Sequence, residues 1–134
     1  MNKAQINRAT YVWLVFRALC ELTRYEALSR LRGFGCIQRQ LRRQSIAGKP
    51  ATPVLERAIC DAVLLATCLY WKPVLCLQRS VCAVRLLRMH GIVARLVVGY
   101  RPAPFFSHAW VEVDGRVVNG SPAYRTRLRP LFTV

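Results

Sequence analysis

The hydrophobic period of this chain changes once, at Gly91, and that change limits the folds open to it. Before Gly91 apolar residues recur at three- and four-residue steps; after it they alternate, in a stretch rich in Val and Ile. Helices come first and strands second, which predicts an α+β fold with helices segregated from an antiparallel sheet rather than an alternating parallel one. Tyr11, Leu14, Val15, Ala18, Leu19, Leu22, Tyr25 and Leu28 form one stripe of a first helix, which Gly33 and Gly35 are expected to stop. The basic stretch 38–49, with Arg39, Arg42, Arg43 and Lys49, reads as a loop or a short surface helix. Pro50 and Thr52-Pro53 then mark a new start. Thr52 is the N-cap, Pro53 the first helical residue and Glu56 a first-turn acid of a second helix over 54–69.

A third helix is predicted from Cys76 to about His90, closed by Gly91, and strands over 92–100 and 108–113. Asp114-Gly115 is a two-residue hairpin signal, returning through 116–119. After Ser121 the tail is basic and unpatterned, and Pro122 and Pro130 argue against long elements there. Its 134 residues allow one domain over 1–134, with a helical part over 1–72 and a helix-plus-meander part over 73–134.

Charge and cysteine usage narrow the setting. Lys and Arg number 21 against 6 Asp and Glu, a net of +15, which suits an acidic partner (nucleic acid, anionic lipid or an acidic peptide) or simply keeps an apolar chain in solution. Lys3 and Arg8 resemble the start of a signal peptide, but the apolar run 11–16 is broken by Arg17, Glu21 and Arg24. The longest apolar run, 62–71, is about half of the roughly 20 residues that a bilayer span needs. None of the six cysteines sits in a C-x-x-C pair flanked by further ligands, so no metal site is expected. The reading is a reduced, cytoplasmic protein.

Only two histidines are present. His90 precedes Gly91 at a helix end, where its ring suits the dipole. His108 opens a strand, the rigid setting a general base needs. Cys76 alone of the cysteines falls at a predicted helix N-terminus, where free amides and the dipole favour a thiolate. Cys20, Cys60, Cys68 and Cys82 fall inside helices, and Cys36 follows Gly35 in a loop. Nucleophile on a helix start, then His on a strand, is the chain order of papain-like and transglutaminase-like cysteine enzymes; by pattern alone a structural Cys and an incidental His compete with that reading.

The wording of the sequence adds to the pattern. The run C-L-Q-R-S-V-C-A-V-R-L-L-R-M-H-G-I-V-A-R-L-V-V-G-Y-R over 76–101, followed by H-A-W-V-E-V-D-G-R-V-V-N over 108–119, resembles the transglutaminase-like B proteins of lasso-peptide biosynthesis. The resemblance implies a papain/transglutaminase-like fold and a cysteine peptidase that needs no cofactor. Cys76 would be the nucleophile and His108 the general base and acid, releasing the leader of a lasso precursor. It also implies a separate leader-recognition protein, the split form of the system, and a lasso cyclase as partners, with no nucleic acid.

The third catalytic residue of that family, an Asp, would fall at position 120, where this chain has Gly120. Asn119 is the first candidate to orient His108, as a diagonal neighbour across the hairpin; Asp114, or a backbone or water contact, are the alternatives. Trp110, on the strand face of His108, either shields the pair or is core. Phe105 and Phe106 line a substrate cleft or cover the sheet edge. Gln78 either donates to an oxyanion or is a solvated helix position, and the Cys76 amide is the more natural donor. A basic binding module and a transglutaminase-like acyltransferase are the competing functions.

Overall fold

A computed structural model describes residues 6–46 and 52–134; Lys3, Lys49 and Pro50 lie outside the described residues. Four helices precede the sheet. The first, α1 (Arg8–Arg32), is capped by the Asn7 side chain and ends at Gly33, whose φ of 76° only glycine adopts freely. Gly33 alone stops it. Gly35, expected as a second breaker, lies inside a further helix, α2 (Phe34–Arg43), which also takes up the basic stretch as far as Arg43. Cys36, placed in a loop from sequence, is thereby buried with Ile37 and Leu41 on the inner face of α2.

Next comes α3 (Pro53–Leu69), begun as expected by Thr52, whose hydroxyl accepts from Leu55 N at 3.2 Å. It is followed by α4 (Cys76–Met89), the central helix, which is buried on nearly every side. His90 caps it, its Nδ1 lying 2.8 Å from Leu86 O, and Gly91 follows with φ 84°.

The sheet is built from β1 (Ala94–Pro102), β2 (Phe105–Val113), β3 (Arg116–Val117) and β4 (Arg129–Thr133), in the order β3-β2-β1-β4. β2 and β3 join through Asp114 (φ 51°) and Gly115 (φ 73°), a type I′ geometry that pairs Glu112 with Val117. The tail is more ordered than its composition predicts. A single turn, α5 (Tyr124–Arg127), leads into β4, which pairs antiparallel with β1 and continues through Val134 to Leu96. Pro130 is tolerated because β4 is an edge strand, and a bulge opposite Val98 and Gly99 breaks its period.

This α+β architecture has two unequal cores. The main one lies between the helices and the sheet face that carries Ala94, Leu96, Ala109, Val111 and Val113. The opposite face carries Val97, Trp110 and Leu128, covered by Val117 and Tyr124. Four carboxylates tie elements together. Glu21 of α1 meets Arg85 of α4 at 2.7 Å, and Glu26 meets Lys72 before α4. Glu56 of α3 takes both ends of the Arg116 guanidinium from β3, and Glu112 of β2 meets Arg125 of α5 at 3.2 Å. Among the described residues no helix is long and apolar enough to cross a membrane.

Candidate active site

Cys76 is the first residue of α4. The N-cap, Leu75, has no side chain able to accept a hydrogen bond, so the first-turn amides of α4 are left without a side-chain cap. Arg79 N is the first to find an intrahelical acceptor, Leu75 O at 3.1 Å. An uncapped helix start presents amide donors and the positive end of the dipole to whatever lies before it.

Two hydrogen bonds fix where that start sits against the sheet. Near the end of α4, Arg88 Nε donates to Ala94 O at 2.9 Å, beside the Ala94–Val113 pair. Two turns earlier, Ser80 Oγ donates to Ala109 O at 3.1 Å. The helix therefore runs parallel to β2 and antiparallel to β1. Cys76 stands one turn beyond Ser80 on the same stripe; that is about 6 Å of helix, or about two residues of strand, and it brings Cys76 level with 107–108.

His108 occupies that level, but its ring lies on the other sheet face, with Trp110. It stacks on Phe106 at 6.1 Å and 12° and packs against Tyr124 at 4.3 Å. β3 ends at Val117, so β2 has an open edge beside His108, and Arg79, three residues after Cys76 in α4, is near enough for its charge to act on the imidazole. Burial pushes the His108 pKa down, and the charge of nearby Arg79 on α4 adds to the effect. The imidazole is thus biased towards its neutral form, the form that accepts a proton. No hydrogen bond joins Cys76 to His108 among the described residues, and His108 Nε2 is enclosed without a partner. Pairs of this kind often tighten only when substrate binds.

The other cysteines have different surroundings. All six are free. Burial pushes the Cys60 thiol up to about 12, with Glu56 and Asp61 adding to the effect, and burial raises Cys82 further. Such thiols stay protonated and inert. Cys20 and Cys68 are exposed within helices, away from any helix start.

Several expected roles need correction. The Asn119 side chain does not orient His108: its Oδ1 accepts from Val111 N at 2.7 Å and its Nδ2 donates to Ser80 Oγ at 3.0 Å. The diagonal placement assumed that the ladder runs on to residue 119, whereas β3 stops two residues earlier and Asn119 folds back over the strand edge. Asp114 is in the turn at the far end of β2, six residues or about 20 Å from His108. Gln78 is 5% exposed and donates to Leu22 O at 3.1 Å, so it is no solvated position but joins α4 to α1. Trp110 is 1% exposed, and its Nε1 donates to Glu112 at 3.0 Å; it is core on the His108 face. Phe105 and Phe106, 74% and 44% exposed, do stand open beside His108.

Three neighbours escaped the sequence reading. Arg79 lines a cleft of about 350 Å³ with Cys60, Asp61, Asn119 and Gly120. Its spacing of three from Cys76 was a usable signal. Ser80 was signalled in the same way, four residues from Cys76 and so on the same stripe. Tyr124 had no such signal, because it reaches His108 from an unpatterned tail.

The chain matches a model of the transglutaminase-like superfamily over residues 18–133. Over 53 residues it is 47% identical to the Microcin J25-processing protein McjB of Escherichia coli, a stretch that makes up 40% of this chain and 26% of the relative. The chain thus matches about a quarter of that relative's length. No solved structure matches it.

Proposed function

The chain belongs to the transglutaminase-like superfamily, and we propose that within it the protein is a cysteine peptidase that releases the leader of a lasso-peptide precursor. The observation that carries this reading is Cys76 as the first residue of an uncapped helix, level with His108 of β2. Likeness to a microcin-processing protein supports the substrate class.

In this mechanism His108 takes the proton of the Cys76 thiol, and the sulfur attacks the carbonyl carbon at the leader–core junction. The resulting oxyanion takes a hydrogen bond from the Cys76 amide, an interaction worth about 10²–10³ in rate in comparable sites. Collapse of the adduct breaks the C–N bond, and His108 returns its proton to the departing amine of the core. Water then loses a proton to His108 and attacks the thioester; the C–S bond breaks and the thiol is restored. Phe105 and Phe106 before His108, and Leu75 and Trp71 before Cys76, are exposed and would give an extended peptide apolar contacts. A separate leader-recognition protein presents the precursor, and the freed core passes to a cyclase in the cytoplasm.

The purified protein, incubated with a lasso precursor and its leader-recognition partner, is expected to release leader. Release is expected to fall at least ~10²-fold in His108→Ala and to vanish in Cys76→Ala, as read by mass spectrometry. Release that persists in Cys76→Ala would refute the mechanism. No release with any precursor and partner would point to a binding module.

A further inference from the structure

We propose that Tyr124 is the positioning residue of His108, holding the imidazole by ring packing rather than by a hydrogen bond to a carboxylate. The inference rests on the peptidase reading and adds to it the source of order in the base. The Tyr124 ring centroid is 4.3 Å from that of His108, at 42°, and Phe106 closes the other side. A Cβ built at Gly120 would lie 2.8 Å from Tyr124 Cε2, closer than carbon atoms approach. A side chain at 120 and this placement of the Tyr124 ring therefore exclude one another. The glycine and the tyrosine are two halves of one arrangement.

The ring is anchored from several directions. Tyr124 N donates to Ser121 O at 3.2 Å, and Leu128 N donates to Tyr124 O at 3.1 Å. Leu128 is buried in the second core, and Tyr124 also packs on Trp110 at 5.9 Å. Next along the turn, Arg125 donates to Gly115 O and pairs with Glu112.

The charges around His108 agree with an arrangement that lacks an acid. α4 contributes Arg79, α5 contributes the phenol of Tyr124, and the facing residue on β1 is Gly99, which has no side chain. Arg101 lies over Phe106. The nearest carboxylate on the same face, Glu112, is four residues along β2 and is held by Trp110 and Arg125. Packing holds the imidazole here without raising its basicity, whereas a carboxylate would do both.

The test uses the full chain. It combines leader release with an NMR titration of His108, which needs no activity. Tyr124→Phe should keep kcat within about threefold, because the ring and not the hydroxyl does the positioning. Tyr124→Ala should lower kcat about 10–100-fold with KM nearly unchanged, the cost typical of a misplaced reacting group. It should also broaden the His108 signals. Adding Gly120→Asp to Tyr124→Ala should restore kcat and raise the His108 pKa by roughly 1 unit or more, as a neighbouring carboxylate does. Tyr124→Leu, which keeps apolar bulk over the second core, guards against loss of fold and should behave like Tyr124→Ala.

Unchanged kcat and an unchanged titration in folded Tyr124→Leu would overturn the proposal. Release that survives Cys76→Ala would instead overturn the peptidase reading, leaving the titration to decide the role of Tyr124.

Discussion

Removal of the Asn119 side chain should destabilise the fold, and the size of the effect follows from its partners. In Asn119→Ala the Val111 N–H loses its acceptor at 2.7 Å in a residue that is 0% exposed. An unpaired buried donor costs about 1–3 kcal/mol, and the lost bond to Ser80 adds about 1 kcal/mol, for a total of roughly 2–4 kcal/mol. Unfolding entropy of about 2.1 cal/mol/K per residue gives roughly 0.28 kcal/mol/K for a chain of this length. The midpoint should therefore fall by about 7–14 °C in a thermal melt followed by circular dichroism. Asn119→Asp keeps the acceptor for Val111 and should lose about 1–2 kcal/mol. Ser80→Ala, combined with Asn119→Ala, should show a coupling of at least about 0.5 kcal/mol, because the two share a bond. The reasoning fails if Asn119→Ala melts within about 2 °C of wild type, or no lower than Asn119→Asp. It fails equally if Asn119→Ala leaves stability intact yet shifts the His108 titration, since that is the signature of an orienter.

Two further outcomes are expected. Gly99→Ala would bring a methyl group within 2.5 Å of the Trp110 ring and should cost about 1–3 kcal/mol, with a changed near-UV tryptophan signal; a stability equal to wild type would mean that the ring does not cross Gly99. Because His108 has a lowered pKa when folded, the unfolded chain binds more protons there below about pH 6.5, so this group removes stability as pH falls through that point towards its folded pKa. Urea midpoints measured between about pH 5 and 8 should fall less steeply in His108→Gln than in wild type, and parallel curves would refute the shift.

How much of this was legible follows from which interactions are local. Thr52, Pro53 and Asp114-Gly115 act on their own backbone, so α3 and the β2–β3 turn were readable. α2 was not, because Arg39, Arg42 and Arg43 outweigh the stripe of Cys36, Ile37 and Leu41. Gly35 reads as a breaker although only Gly33 needs a positive φ. β4 was hidden by Pro130 and by the bulge, which spoils a two-residue period. In the candidate site, the position of Cys76 at a helix start was local and readable. The partners of Asn119 and Gln78 lie on other elements, as does the contact of Tyr124 with His108, and no spacing announces them.

The four inter-element carboxylates bear on how this molecule meets acid. The chain has six acidic residues, and its four glutamates each clasp a base from a neighbouring element. Lys72 and Arg30 hold Glu26 below the usual carboxylate range. Protonating Glu26 would release its clasp on Lys72 and at the same time strengthen the self-repulsion of a chain already at +15. Loss of attachment and gain of repulsion thus arrive together at one seam, where α1 meets the segment leading into α4.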